Sequence, residues 1–135
     1  MAICMERKED QHMLPTVYFV IPCYNEEEVL PETVRRLTDK LYAMQSAGLA
    51  GENSRMLLVD DGSKDKTWEL ISRFHKENPV VEGVKLAHNR GHQNALLCGL
   101  MTAMESCDCA ISLDADLQDD IEVLDEFVKK YLDGC

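Results

Sequence analysis

The sequence has little positive charge, and this absence excludes several classes of function. Its 14 lysines and arginines face 25 acidic residues, which gives a formal net charge of −11 over 135 residues. Such a chain lacks the basic face that would neutralise nucleic-acid phosphates or attract anionic lipid. No nucleic-acid partner is therefore expected, and an anionic ligand would need a divalent cation as a bridge.

Long apolar runs and paired cysteines are also missing. No uncharged stretch is long enough to span a bilayer, and the one at residues 93–104 contains Asn94 and Gly99. The N-terminus has no basic segment followed by an apolar one, so no signal peptide is expected. The six cysteines include no CxxC pair. This favours buried or incidental thiols and a reducing, cytoplasmic setting for the domain.

The chain does contain an alternation of strand-like and helix-like segments. Residues 1–15 are unpatterned and are interpreted as a mobile lead-in, whereas residues 16–135 form one domain. The apolar run Val17–Ile21 is typical of a buried parallel strand, and leucines at helical spacing follow it. This order predicts an α/β fold, a mostly parallel sheet covered by helices. The predicted strands are 17–21, 56–59, 80–86 and 109–113, and the predicted helices are about 30–44, 67–77, 93–105 and 121–131.

Polar side chains follow three of these strands, at the point where each strand ends. Tyr24-Asn25-Glu26, Asp60-Asp61 and Asp114-Ala115-Asp116 come directly after apolar runs. Ligands of open parallel sheets bind beyond the carboxyl ends of the strands. The three loops are therefore expected to form one binding edge.

Asp114 and Asp116 are the candidate metal ligands. They are two residues apart at a strand end and would repel each other without a cation between them. Carboxylate oxygens, with Gln118 as a possible third donor, suit Mg²⁺ or Mn²⁺ bound to a diphosphate. The competing interpretation is that these are ordinary turn residues, since aspartate is common in turns. Asp61 is expected to accept a hydrogen bond from a base or ribose, and Asp60 to organise its turn.

Three segments together resemble family 2 glycosyltransferases with the GT-A fold. They are Phe19–Glu27, Leu58–Ser63 and Asp114–Gln118, in that order along the chain. The loop Asn89–Ala95 is similar to one in polyprenyl-phosphate glycosyltransferases, such as dolichol-phosphate mannosyltransferase and bactoprenol glucosyltransferase. The resemblance implies an inverting transfer of a hexose from a UDP- or GDP-linked sugar to a polyprenyl phosphate.

The same resemblance implies a role for individual residues. Asp114, Asp116 and Gln118 would hold Mg²⁺ or Mn²⁺, and the two aspartates would be the catalytic residues. Arg90 and His92 are possible phosphate or acceptor contacts. The nucleotide-binding residues implied are Pro22, Tyr24, Glu26, Val59, Asp61 and Ala115.

The family's members continue beyond the Asp114–Gln118 loop, so the chain is expected to be the nucleotide-sugar-binding portion only. Catalysis by this portion alone is not expected, and the complete protein would lie at the cytoplasmic face of a membrane. The strand at 109–113 would lack a neighbour on one side, and this open edge predicts self-association. Transfer to a saccharide hydroxyl and nucleotide binding without catalysis remain open. A haloacid-dehalogenase-type phosphatase and a receiver domain fit less well, because each needs its acidic pair on the first strand.

Overall fold

The computed structural model describes residues 2–4, 14–116 and 124–132. Five strands form one sheet in the order β1-β5-β2-β3-β4. Strands β5, β2, β3 and β4 are parallel, and β1 runs antiparallel to β5. The strands are β1 (Ala2–Cys4), β2 (Val17–Cys23), β3 (Arg55–Asp60), β4 (Val81–Lys85) and β5 (Cys109–Ser112). The predicted α/β fold is confirmed.

Helices cover both faces of the sheet because the central strands are apolar on both sides. Phe19 and Ile21 face the helices on one side, whereas Tyr18 and Val20 face the helix on the other. Alternate residues of a strand point to opposite faces, so a continuous apolar run needs cover on both. The helices on the Phe19 side are α1 (Leu30–Ser46), α2 (Thr67–Glu77) and α4 (Leu124–Leu132), and α3 (His92–Met104) covers the other side.

Helix α1 is the longest of the described helices and is amphipathic. Pro31 occupies its first turn, where the missing N–H costs no helical hydrogen bond. The side chains predicted to face the core are buried: Leu30, Val34, Leu37, Leu41 and Met44. In α4, the predicted core positions Leu124 and Val128 are also buried. The remaining predicted core positions of that helix lie outside the described side chains.

Helix α3 lies unusually close to the sheet because it contains a glycine at the contact. A Cβ atom on Gly99 would be 2.6 Å from Val20 Cγ1 and 2.8 Å from Val59 Cγ2. Such contacts are closer than atoms tolerate, so only glycine fits without a shift of the helix or of the two valine side chains. The outer face of α3 is exposed and apolar at Leu97, Met101 and Met104. Within the described ranges, no helix is both long and apolar enough to cross a bilayer.

Strand β1 differs from the expectation for the N-terminal segment. Residues 1–15 showed no strand pattern, yet Ala2–Cys4 pairs with β5 in the register Ala2↔Ile111 to Cys4↔Cys109. Strand β5 therefore has β2 on one side and β1 on the other. The prediction of an open edge at residues 109–113 was wrong, because that edge is paired over three residues.

Candidate functional site

The loops after β2, β3 and β5 meet beyond the carboxyl ends of these three parallel strands. They form a cleft of about 260 Å³, and the segment between β4 and α3 completes its wall. This is the edge of the sheet at which the acidic residues were expected to gather. The lining residues are Pro22, Cys23, Tyr24, Glu26, Asp61, Asn89, Gly91, His92, Asp114, Ala115 and Asp116.

Asp61 joins two walls of the cleft. Its carboxylate Oδ1 accepts the backbone N–H of Arg90 at 2.7 Å, and its own N–H donates to the carbonyl of Cys23 at 2.8 Å. The side chain is only 3% exposed. Asp61 therefore has a structural role in addition to the predicted contact with a base or ribose, because it fixes the segment that leads into α3.

Gly62 lets that segment approach the β3 loop. It has φ of +71°, a left-handed conformation that favours glycine. A Cβ atom at this position would be 2.6 Å from the backbone nitrogen of Asn89. The close approach brings Asn89 and Gly91 into the cleft wall.

Asp60 organises the turn, as the sequence suggested. Its Oδ1 accepts the N–H of Ser63 at 3.2 Å, and the residue is fully buried. The other oxygen, Oδ2, is buried and has no hydrogen-bond partner among the described residues. Asp60 does not line the cleft, so its contribution to a site is through the backbone of the β3 loop.

The acidic loop after β5 presents two exposed carboxylates to the cleft. Asp114 and Asp116 are exposed, whereas Ala115 between them is buried. The hydroxyl of Thr33 in α1 donates to the carbonyl of Ala115. This bond ties the loop to the first helix and leaves both aspartates directed away from the core.

Glu26 brings a third carboxylate to the same cleft. Partial burial raises the pKa of Glu26, and the negative charges of Asp116, Asp65 and Asp114 raise it further. The mutual repulsion of these carboxylates would be relieved by a cation beside Asp114 and Asp116. Asp114 and Asp116 are the residues that would hold Mg²⁺ or Mn²⁺, because oxygen donors are the ligands that both ions prefer.

The described residues contain no group of three His, Cys, Asp or Glu side chains close enough to chelate one metal ion. The two aspartates would therefore need oxygens from another source, such as a diphosphate. Gln118, the third ligand expected from the sequence, lies outside the described residues.

Most of the predicted nucleotide-binding residues line the cleft, but Val59 does not. Its side chain is fully buried and packs beneath α3 with Val20 and Leu57. Arg90 contributes its backbone N–H to Asp61, and His92 lines the cleft at the start of α3.

Cys23 was not predicted as a lining residue. It ends β2, and its position one residue after Pro22 is the signal that places it at the cleft. Burial raises the pKa of its thiol, with Glu26 and Asp60 adding to the effect. The thiol therefore stays neutral and serves as part of the wall. The four cysteines whose side chains the structure describes form no disulfide with one another.

Residues 18–135 match glycosyl transferase family 2, so the chain belongs to this family of glycosyltransferases. It is 51% identical over 121 residues to the uncharacterized glycosyltransferase YkoT of Bacillus subtilis strain 168. That match covers 90% of this chain and 36% of the relative. The chain thus spans about a third of the length of the relative.

Solved structures share the fold. A mannosyltransferase from Pyrobaculum calidifontis, in complex with GDP-mannose and Mn²⁺, superposes with a TM-score of 0.65 at 23% identity. The superposition covers 89% of this chain and 33% of that one. The S. aureus protein TarS in complex with UDP gives a TM-score of 0.60 at 20% identity, over 75% of this chain and 27% of its own. The described domain is thus the α/β part of a GT-A fold.

Proposed function

We propose that this domain binds the nucleotide sugar in a metal-dependent, inverting glycosyltransferase that transfers a hexose to a polyprenyl phosphate. The observation that carries the proposal is the cleft, in which Asp114 and Asp116 lie with Tyr24, Glu26 and Asp61 at the carboxyl ends of three parallel strands. Bound Mg²⁺ or Mn²⁺ would neutralise charge on a departing nucleoside diphosphate. The complexes of fold relatives with GDP-mannose and Mn²⁺, or with UDP, support this class of donor.

The residues of the chain have distinct tasks in this proposal. Tyr24 is 40% exposed at the cleft and offers a ring to a nucleotide base. Asp114 and Asp116 hold the cation and so position the diphosphate. Arg90 and His92 lie at the start of α3, next to the N–H groups of its first turn, where an anion is favoured.

A polyprenyl phosphate acceptor would remove the need for a general base. A phosphate monoester has a second pKa of about 6 and is largely a dianion at neutral pH. It can attack the anomeric carbon from the face opposite the diphosphate, which inverts that centre. A saccharide hydroxyl would instead need a base to take its proton. The Asn89–Ala95 loop supports the phosphate acceptor, because its sequence is similar to that of polyprenyl-phosphate enzymes.

Calorimetry of the 135-residue chain with UDP and GDP, with and without Mn²⁺, tests donor binding. We expect binding that depends on the metal and weakens at least tenfold in Asp116→Ala, with Asp39→Ala on the exposed side of α1 as the control. Binding that is indifferent to metal and to Asp116 would overturn the assignment.

The test of the acceptor uses a full-length protein that contains this domain. Each carboxylate outside the metal site is changed to its amide, and transfer to a polyprenyl phosphate is measured. We expect no single amide to abolish turnover, and a rate that rises through about pH 6 as the acceptor ionises. One essential carboxylate with both substrates still bound would favour a hydroxyl acceptor. Binding without any turnover would favour a non-catalytic module.

A further inference from the structure

The loop between β2 and α1 has no regular structure, yet its backbone is held at three successive residues. The N–H of Asn25 donates to Ser63 Oγ at 2.9 Å, and the N–H of Glu26 donates to Thr67 Oγ1 at 2.9 Å. The N–H of Glu27 donates to Asp65 Oδ2 at 3.3 Å. Two of these acceptors, Ser63 and Asp65, are side chains of the loop after β3, and the third, Thr67, begins α2. We call Ser63, Asp65 and Thr67 the loop clamp.

We propose that the loop clamp is a positioning device for the nucleotide site, in which Thr67 is the central positioning residue. This inference rests on the proposed function, because it assigns the clamp to the same cleft. Its members do not line the cleft, whereas Tyr24 and Glu26, on the loop that they hold, do.

Thr67 is suited to this role by its hydrogen bonds on both sides. Its hydroxyl accepts the N–H of Glu26 and donates to Asp65 Oδ1, which also accepts the N–H of Thr67 at 2.9 Å. The residue is fully buried, so water cannot replace these partners. Burial, the largest single influence on Asp65, would raise its pKa, but hydrogen bonds from the Thr67 side chain and from the N–H groups of Thr67 and Glu27 lower it. Asp65 is therefore held in its charged form, as an acceptor.

The loop between β2 and α1 also accepts a hydrogen bond from the loop after β3, and its backbone is bent at Asn25. Asn25 has φ of +52°, a left-handed conformation that is uncommon for a residue with a side chain. Its Oδ1 accepts the N–H of Lys64 at 2.8 Å. Thus each loop supplies acceptors for the other, and the clamp maintains a turn that presents Tyr24 and Glu26 on one side.

The test compares four variants of the 135-residue chain. Thr67→Val keeps the shape of the side chain and removes its hydroxyl, whereas Thr67→Ser keeps the hydroxyl. Ser63→Ala removes one outer contact. Thr38→Val is the matched control, because Thr38 Oγ1 accepts one hydrogen bond from Asn78, at a site outside the cleft lining. Two quantities are measured: the Kd for UDP or GDP with Mn²⁺, and amide exchange at residues 25–27.

Thr67→Val removes the hydroxyl's bonds to Glu26 and Asp65, of which the first holds the cleft loop. We expect faster exchange at Glu26 and a Kd that rises about three- to tenfold, the range for the loss of that one buried hydrogen bond. Ser63→Ala should raise the Kd less, and Thr67→Ser should restore it. An unchanged Kd in Thr67→Val, or an equal rise in Thr38→Val, would overturn the positioning role. Unchanged exchange at Glu26 would overturn the clamp itself. Failure of the unaltered chain to bind either nucleotide would instead overturn the proposed function.

Discussion

At the scale of single residues, the carboxylates of the cleft suit ligand binding, but their mutual repulsion lowers the stability of the fold. Glu26 shows this most directly, because its pKa is raised by burial and by the charges of Asp116, Asp65 and Asp114. Folding therefore opposes the ionisation of Glu26. The stabilising effect of its neutral form is complete below the ordinary pKa of 4.5 and is lost as the pH rises through the higher value in the folded state.

Glu26→Gln should consequently be more stable than the unaltered chain at pH 7, in the absence of metal, and equally stable below pH 4. The amide keeps the size of the side chain and removes the charge that the neighbouring carboxylates oppose. Urea unfolding at both pH values measures the difference. Glu28→Gln, at an exposed position in the same loop, is the control and should show no such dependence. A variant that is no more stable at pH 7 would contradict the prediction.

The sequence predicted that the acidic residues would gather at one edge of the sheet, because they follow apolar strands whose ends meet there. All but Asp60 do line one cleft. Val59 is buried beneath α3, and the sequence does not show how far that helix covers β3. The contact of Val59 with a nucleotide stays a prediction. The sequence missed the loop clamp, since Asn25 and Ser63 belong to loops whose contact depends on the tertiary fold.

At the scale of elements, hydrophobic periodicity predicted the type and order of most helices and strands. Helix α2 has the predicted bounds, Thr67–Glu77, and α3 begins one residue earlier than expected. These segments are long enough for the spacing of their apolar residues to distinguish a helix from a strand. Strand β1 was missed because three residues carry no periodic signal, and its pairing with β5 joins distant parts of the chain.

The tight contact of Gly99 with Val20 and Val59 predicts that a larger residue at this position destabilises the fold. Gly99→Ala adds a methyl group against Val20 and Val59, and forces the helix outward or the valines into poor rotamers. We expect a loss of about 1–3 kcal/mol in the free energy of unfolding, the usual cost of overpacking a core. Denaturant titration measures it.

Thr102→Ala is the comparison for Gly99→Ala, because Thr102 is exposed on the same helix. Surface changes of this kind are usually within about 0.5 kcal/mol of neutral. If both variants lost the same stability, the tight contact at Gly99 would not be the cause.

At the scale of the whole molecule, the net charge of −11 favours repulsion between copies of the chain, but the exposed face of α3 carries no charged side chain. Helix α3 has no Asp, Glu, Lys or Arg from His92 to Met104, and Leu97, Met101 and Met104 are 55%, 61% and 43% exposed. Since the β5 edge is paired with β1, we place the expected self-association of this chain on α3.

Self-association should therefore increase with salt, which screens the repulsion between copies, and should decrease in Met101→Lys. Light scattering over a range of protein and salt concentrations measures it. Tyr42→Lys is the control, since Tyr42 is 45% exposed on α1, across the sheet from α3. A chain that stays monomeric at high salt, or a Tyr42→Lys variant that dissociates equally, would count against this face.

The pairing of β1 with β5 also bears on the order in which the strands pair during synthesis. Ala2 is synthesised more than a hundred residues before its partner Ile111. At a synthesis rate of about 5–20 residues per second, roughly 5–20 s separate the synthesis of β1 from that of β5. Closing so long a loop carries an entropic cost that only three residue pairs offset. Among the five described strands, we therefore expect β1 to pair after the parallel strands have formed the edge that receives it.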